Sequence, residues 1–127
     1  MTYDYHGQWD KKTGHVAPLY HHEESDNFHF NTNYSINYWL SQGADRKKII
    51  LGMPMYGQSF QLSEAKNNGL NAKSYGGGDA GQFTRAKGFL AYYEVKTKKI
   101  AYYLYYVLDL VLILSSRIAD LFQNSPR

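Results

Sequence analysis

The chain has 127 residues, of which 43% are hydrophobic and 20% charged, with 13 tyrosines, three prolines and no cysteine. This composition indicates a globular fold and excludes disordered, collagen-like and disulfide-stapled chains. The length excludes a complete (β/α)₈ barrel, which needs roughly 250 residues.

The charge pattern and the missing cysteines exclude further classes of function. The formal net charge is +3, and the basic residues form short groups such as Arg46–Lys48 and Lys96–Lys99 without a base-reading motif, so we expect no nucleic-acid partner. A chain without cysteine has no thiol nucleophile and no Cys-ligated zinc. The five histidines lack the paired helical spacing of zinc sites, and we expect no metal and no cofactor.

The first 31 residues read as a strand followed by a long loop. Met1–Tyr5 alternates tyrosine with other residues, as strands do, and His6–Asn31 is polar with scattered turn residues. Met1 is not followed by the basic start and apolar run of a signal peptide, so we expect none in this chain. A chain that opens directly in a strand suggests that its start is not a natural domain boundary.

A helix is predicted after this loop. Asn31, Thr32 or Asn33 can cap its start, and Gly43 can end it. The apolar residues at helical spacing place Trp39 in the core.

A buried strand is predicted next, because Lys48–Met53 is a largely apolar run closed by Pro54. Strand, loop, helix and strand together indicate a parallel β-α-β unit with a right-handed crossover. Two parallel strands cannot stand alone, so more sheet is needed than this segment supplies.

The glycine cluster Tyr75–Asp79 has neither of the spacings of nucleotide-binding loops, so we interpret it as a flexible turn. Residues 100–114 are apolar or tyrosine except for Asp109. As a helix they would span about 22 Å, short of the roughly 30 Å hydrocarbon core. A buried or aggregation-prone segment is therefore favoured over a membrane anchor.

Two of the first ten residues are candidates for function. Asp4 ends the predicted strand, where α/β proteins carry active residues, although an aspartate that caps the following turn fits the spacing equally well. Trp9 follows on the loop, where a flat aromatic face suits a sugar ligand.

Several longer motifs resemble the family-18 glycoside hydrolases, the chitinases, most closely those of arthropods. The motifs, in chain order, are Met1–Trp9 with Thr13–His15 and Pro18–Tyr20 (sixth barrel strand and its loop), Asn37–Ala44 (sixth helix), Leu51–Phe60 (seventh strand), and Gly69–Ala72 with Phe83–Glu94 (insertion domain). The resemblance implies an α/β fold, a partial (β/α)₈ TIM barrel of about strands 6–7 with part of an α+β chitinase insertion domain. We divide the chain into a barrel segment 1–59, an insertion-domain segment 60–95 and an unmatched apolar tail 96–127.

The resemblance also implies roles for individual residues in a substrate-assisted, retaining hydrolysis of β-1,4-linked N-acetylglucosamine. Tyr3 would donate its hydroxyl to the acetamido group that attacks the anomeric carbon, and Asp4 would hydrogen-bond at the same subsite. Met1 would line the floor beneath. Trp9 would stack under a leaving-group sugar, and Tyr56 would bond the sugar at the scissile site.

The departures from the family pattern limit what this chain can do. The family's general acid ends an Asp-x-x-Asp-x-Asp-x-Glu motif on the fourth strand, and no aspartate here begins that spacing. We therefore expect a chitinase fragment that is inactive alone, with a foreign tail, derived from an extracellular enzyme whose partner is chitin or its oligosaccharides. The alternatives are a lectin-like chitin-binding product and a membrane-associated or aggregating remnant.

Overall fold

A computed structural model describes residues 1–23 and 27–97. Its elements, in chain order, are α1 (Thr32–Ser41), a 3₁₀ helix (Arg46–Lys48), β1 (Tyr56–Gln58), β2 (Phe60–Leu62), β3 (Ser74–Gly77), β4 (Phe89–Ala91) and α2 (Tyr92–Thr97). The predicted long loop is confirmed in its described part, since residues 6–23 and 27–31 contain no helix or extended strand. The apolar run 100–114 lies outside the described residues, within which no helix is long and apolar enough to cross a membrane.

Helix α1 is bounded as the sequence predicts. The Asn31 side chain accepts a hydrogen bond from the Tyr34 backbone N–H at 2.8 Å, which satisfies one of the free donors at the helix start. Gly43 follows the helix with φ of +87°, a left-handed conformation that favours glycine.

The two predicted parallel strands are absent, which corrects the β-α-β prediction for this chain. Neither Met1–Tyr5 nor Lys48–Met53 is a strand; the second contains only the end of the 3₁₀ helix and irregular chain. Ile50 is 90% exposed. A parallel strand is ordered by neighbours on both edges and helices on both faces, and the described residues supply too few of either.

The prediction that Trp39 is a core residue is also wrong, because this side chain is 60% exposed. Helical periodicity identifies an apolar face, but the face is buried only where another element packs on it. Ile36, on the same helix, is buried at 4% exposure. The covered part of α1 is therefore narrower than its apolar pattern.

Residues 56–91 form two small antiparallel sheets. Strand β1 pairs with β4, with Tyr56 opposite Ala91 and Gln58 opposite Phe89, and β2 pairs with β3. Tyr75, Gly76 and Gly77 of the glycine cluster lie in β3, so this part of the cluster is a strand rather than a flexible turn. Pairing with β2 outweighs the low strand propensity of glycine here.

Glu94 joins three parts of this region by its carboxylate. Oε1 accepts hydrogen bonds from the N–H groups of Phe83 at 2.7 Å and Thr84 at 3.1 Å, and Oε2 accepts from Ala91 N–H at 3.0 Å. The bond to Ala91 reaches back from the third residue of α2 to the residue before the helix, as in a capping box. Burial alone would raise the pKa of Glu94, but these hydrogen bonds to the ionised form lower it to about 2.

We predict that acid loosens this region through Glu94. A carboxylate whose pKa is lower in the folded state stabilises the fold above its unfolded pKa of 4.5, and this stabilisation is lost as the pH falls toward about 2. The thermal midpoint of the parent should therefore fall more steeply between pH 5 and pH 2 than that of Glu94→Gln. Glu64→Gln, at an exposed position, should keep the parent's pH profile. Parallel profiles for the parent and Glu94→Gln would contradict the prediction.

Candidate functional site

Residues 1–5, called the first segment below, contact β1 through a hydrogen bond between two of the predicted site residues. The Tyr56 hydroxyl donates to Asp4 Oδ1 at 2.7 Å, across 52 positions of sequence. Asp4 has φ of +59°, a left-handed conformation that aspartate tolerates better than most residues. This backbone turn accompanies the contact between the Asp4 carboxylate and β1.

The environment keeps the Tyr56 hydroxyl protonated. Burial raises the pKa of Tyr56, and the hydrogen bond to Asp4 and the electrostatic interactions with Asp4 and Tyr3 raise it further. The Tyr56 ring packs on Phe89 of β4, with ring centroids 4.8 Å apart. Tyr56 is therefore a neutral donor held from one side by a carboxylate and from the other by the β1–β4 sheet.

Tyr3 is positioned by a close approach to Gly52. A Cβ at residue 52 would lie 2.8 Å from Tyr3 Cε1, so the tyrosine ring occupies the space that any other side chain would need. The Thr2 hydroxyl donates to the Gly52 carbonyl at 3.1 Å. These two contacts hold the first segment beside the chain that leads into β1.

Trp9 lies on a separate feature, a turn over Gly7–Asp10. Asp10 N–H donates to the Gly7 carbonyl at 2.9 Å, and Gly7 N–H donates to Asp10 Oδ2 at 3.1 Å. The Trp9 ring lies directly over Gly7, where a Cβ would collide with it, and Trp9 remains 57% exposed. The turn thus presents an aromatic face to solvent.

Met1, the last predicted site residue, is 94% exposed, so within the described residues it lines no enclosed floor. Tyr3, Asp4 and Tyr56 are brought together, and Trp9 is presented on its own turn. Gln8, beside Trp9, is a contact residue that the sequence analysis missed. Its side chain touches Gly77 and Gly88, and no local pattern indicates contacts across such a separation.

Three of the five histidines line a pocket together with aromatic neighbours. His6, His15 and His22 line it together with Tyr20 and Phe30. Burial, followed by the charges of His22 and His6, lowers the pKa of His15, which favours its neutral form. No group of three histidine, aspartate or glutamate side chains that could hold a metal ion occurs in the described part of the chain.

The segment His21–Glu23 forms part of the surface of the long loop. His21, His22 and Glu23 are exposed. Glu24 lies outside the described residues.

Comparison with known proteins identifies the relatives of this chain. The family model described as glycosyl hydrolases family 18 matches residues 1–124. The Drosophila melanogaster protein named "Probable chitinase 10" is 63% identical over 98 residues, which cover 77% of this chain and 4% of that protein. The family match thus extends beyond the 98 residues of this pairwise alignment.

Solved structures of the family superpose on the described fold. Catalytic domain 2 of the Ostrinia furnacalis Group II chitinase matches with a TM-score of 0.74 and 56% identity, covering 79% of this chain and 26% of that one. A mutant of the same domain was solved in complex with (NAG)₅. Human YKL-39, described as a pseudo-chitinase with retained chitooligosaccharide binding properties, matches with a TM-score of 0.70 and 37% identity, covering 75% of this chain and 27% of that one.

These matches support the coarser fold prediction, a TIM-barrel-like α/β fold. The described residues form a small part of it, with few strands and helices. The chain spans about a quarter of the length of the solved relatives. The division into segments 1–59, 60–95 and 96–127 stays a prediction.

We predict that Tyr56→Phe loosens the contact between the first segment and β1. Removing one exposed hydrogen bond should lower the free energy of unfolding by about 0.5 kcal/mol. Urea denaturation of the 127-residue chain measures this, with Tyr75→Phe, a 73% exposed tyrosine of β3, as the matched control. A loss no larger than that of the control would show that the bond to Asp4 contributes nothing to folding.

Proposed function

The chain belongs to glycosyl hydrolase family 18, and on this premise we propose that it forms part of the substrate-binding cleft of a chitinase. The ligand proposed is a β-1,4-linked N-acetylglucosamine chain, and the parent enzyme would act on it outside the cell. The observation that carries the proposal is the hydrogen bond from Tyr56 to Asp4, with Tyr3 adjacent. This bond joins Asp4 and Tyr56 beside the small β1–β4 sheet, and Tyr3 precedes Asp4 in the sequence. Three of the five predicted site residues therefore lie close together.

The chemistry of these groups suits the acetamido group of an N-acetylglucosamine unit. In a substrate-assisted reaction the acetamido carbonyl attacks the anomeric carbon, and the enzyme must orient that group and stabilise the charge that it gains. The Tyr56 hydroxyl gives its one proton to Asp4, so its lone pairs and the second oxygen of the Asp4 carboxylate can accept hydrogen bonds from sugar hydroxyls or the acetamido N–H. Tyr3 would supply the second hydroxyl. Donors fixed in place before reaction can supply a few kcal/mol of transition-state stabilisation each.

Trp9 is proposed as a stacking platform for a neighbouring sugar. Its ring is supported on one side by the Gly7 backbone and remains more than half exposed. An aromatic side chain that is both exposed and supported offers an apolar face at small entropic cost. Sugar rings, with one apolar face and hydroxylated edges, match that surface.

A second candidate function is binding of chitooligosaccharides without hydrolysis. The observation that favours it is the sequence itself, in which no aspartate begins the acidic motif that ends in the family's general acid. The similarity to human YKL-39, described as a pseudo-chitinase that retains such binding, is a precedent in the family. The proposed platform and hydrogen-bonding groups would serve either function.

We predict that Trp9→Ala weakens oligosaccharide binding. Loss of the platform should reduce the affinity for the pentamer of N-acetylglucosamine about tenfold, or about 1.4 kcal/mol. Isothermal titration of the 127-residue chain measures this. Trp39→Ala is the matched control, because Trp39 is the second of the two tryptophans and is exposed to a similar degree, 60% against 57%. Equal losses in both variants would argue against a platform at Trp9.

We also predict that the 127-residue chain alone does not hydrolyse chitin oligosaccharides. Loss of a positioned proton donor typically costs about 10²–10⁴-fold in rate. Product release from a chromogenic N-acetylchitooligosaccharide should equal that of a heat-denatured control. Turnover above that background, abolished by Asp4→Ala, would establish that the chain has a proton donor of its own.

A further inference from the structure

We infer that Gln8 is a positioning residue that orients Trp9 by anchoring its turn to the junction of the two small sheets. The inference rests on the proposed function for its effect on sugar binding. The contact itself is a feature of the fold and can be tested without sugar.

The anchor point is a ring of three backbone segments. Ser59 N–H donates to the Gly88 carbonyl at 2.9 Å, Gly88 N–H to the Gly78 carbonyl at 2.9 Å, and Gly78 N–H to the Ser59 carbonyl at 3.0 Å. Ser59 lies between β1 and β2, Gly78 follows β3, and Gly88 precedes β4. This ring is therefore where the β1–β4 sheet joins the β2–β3 sheet.

Gln8 rests on two buried glycines at this junction. A Cβ at Gly77 or at Gly88 would lie 2.6 Å from Gln8 Oε1, and the one at Gly88 would also lie 2.8 Å from Gln8 Cβ and Cδ. Real Cβ atoms do not approach other atoms so closely, so the glutamine side chain fills space that only glycine leaves open. Gly88 also has φ of +77°, so glycine is favoured there for its backbone as well.

The rest of the loop is attached at a different place. Ser74 N–H donates to the Lys11 carbonyl at 2.8 Å, and Thr13 N–H donates to the Ala72 carbonyl at 2.9 Å. The Ser74 hydroxyl donates to the Asp10 carbonyl at 3.3 Å. These hydrogen bonds attach the loop to residues 72–74 from Asp10 onward. They do not include Gln8 and Trp9, which come before Asp10 in the turn.

Gln8 and Trp9 are the two central residues of the Gly7–Asp10 turn. The bond from Asp10 N–H to the Gly7 carbonyl and the bond from Gly7 N–H to the Asp10 carboxylate close the turn on itself and do not fix its tilt relative to the sheets. The Gln8 contact supplies a second point of attachment, one residue before Trp9. Two points of attachment restrict rotation of the turn, so the direction of the Trp9 ring depends on Gln8.

The experiment measures the position of Trp9 first and sugar binding second. In a Trp39→Phe background Trp9 is the single tryptophan, and its fluorescence reports its own exposure. Gln8→Ala should raise the acrylamide quenching constant of Trp9 in the absence of sugar. Gln8→Met, which keeps the length of the side chain, should restore the parent value. Gln61→Ala, which removes the same atoms from an exposed position of β2, is the matched control and should leave quenching unchanged.

The affinity for the N-acetylglucosamine pentamer should fall about threefold to tenfold in Gln8→Ala and recover in Gln8→Met, because the ligand must then order the tryptophan itself. Unchanged quenching in Gln8→Ala, an equal change in Gln61→Ala, or loss of the circular dichroism spectrum in Gln8→Ala would each overturn the inference. If the parent binds no sugar but Gln8→Ala raises quenching and Gln8→Met restores it, the proposed function fails and the positioning by Gln8 stands.

Discussion

The antiparallel pairing of β1 with β4 is the contact on which the candidate site depends. Tyr56 is the first residue of β1, opposite Ala91, and its ring packs on Phe89 of the same sheet. With the ring fixed in this way, the hydroxyl meets the Asp4 carboxylate at 2.7 Å. The first segment, which pairs with no strand among the described residues, is therefore held at the site by Tyr56 as well as by its contacts with Gly52.

Strand β4 is stabilised in turn by the Glu94 carboxylate and by a small apolar cluster of described residues. Leu90 and Val95 are buried together, with 1% and 3% exposure. Two apolar side chains provide little hydrophobic stabilisation, at about 1.5–3 kcal/mol for each fully buried. The carboxylate of Glu94 adds hydrogen bonds to Phe83, Thr84 and Ala91, which tie the segment before β4 to the helix after it. Among the described residues, these charge-assisted hydrogen bonds add to the stabilisation that Leu90 and Val95 provide.

The features that could be predicted from sequence are those whose causes are local. Asn31 and Gly43 bound α1 as predicted, because a cap and a left-handed residue act within one helical turn. The strand predictions for Met1–Tyr5 and Lys48–Met53 were wrong, since an apolar run becomes a strand only when neighbours pair with it. Part of the glycine cluster became a strand for the converse reason, because β2 lies beside it.

The candidate site also depends on contacts between residues that are distant in the sequence. Asp4 and Tyr56 are 52 positions apart, and Gln8 meets Gly77 and Gly88 at still greater separations, so no periodicity could have paired them. Asp4 was a candidate from its place at the end of a predicted strand, but Tyr56 was named through family motifs alone. All of these contacts, however, lie within residues 4–91, although much of the apolar surface around α1 is uncovered. Orientation of Tyr56 and Trp9 therefore does not require a closed barrel. The described fold thus brings together the groups proposed to position a sugar, without the acidic motif in which the resemblance places the proton donor.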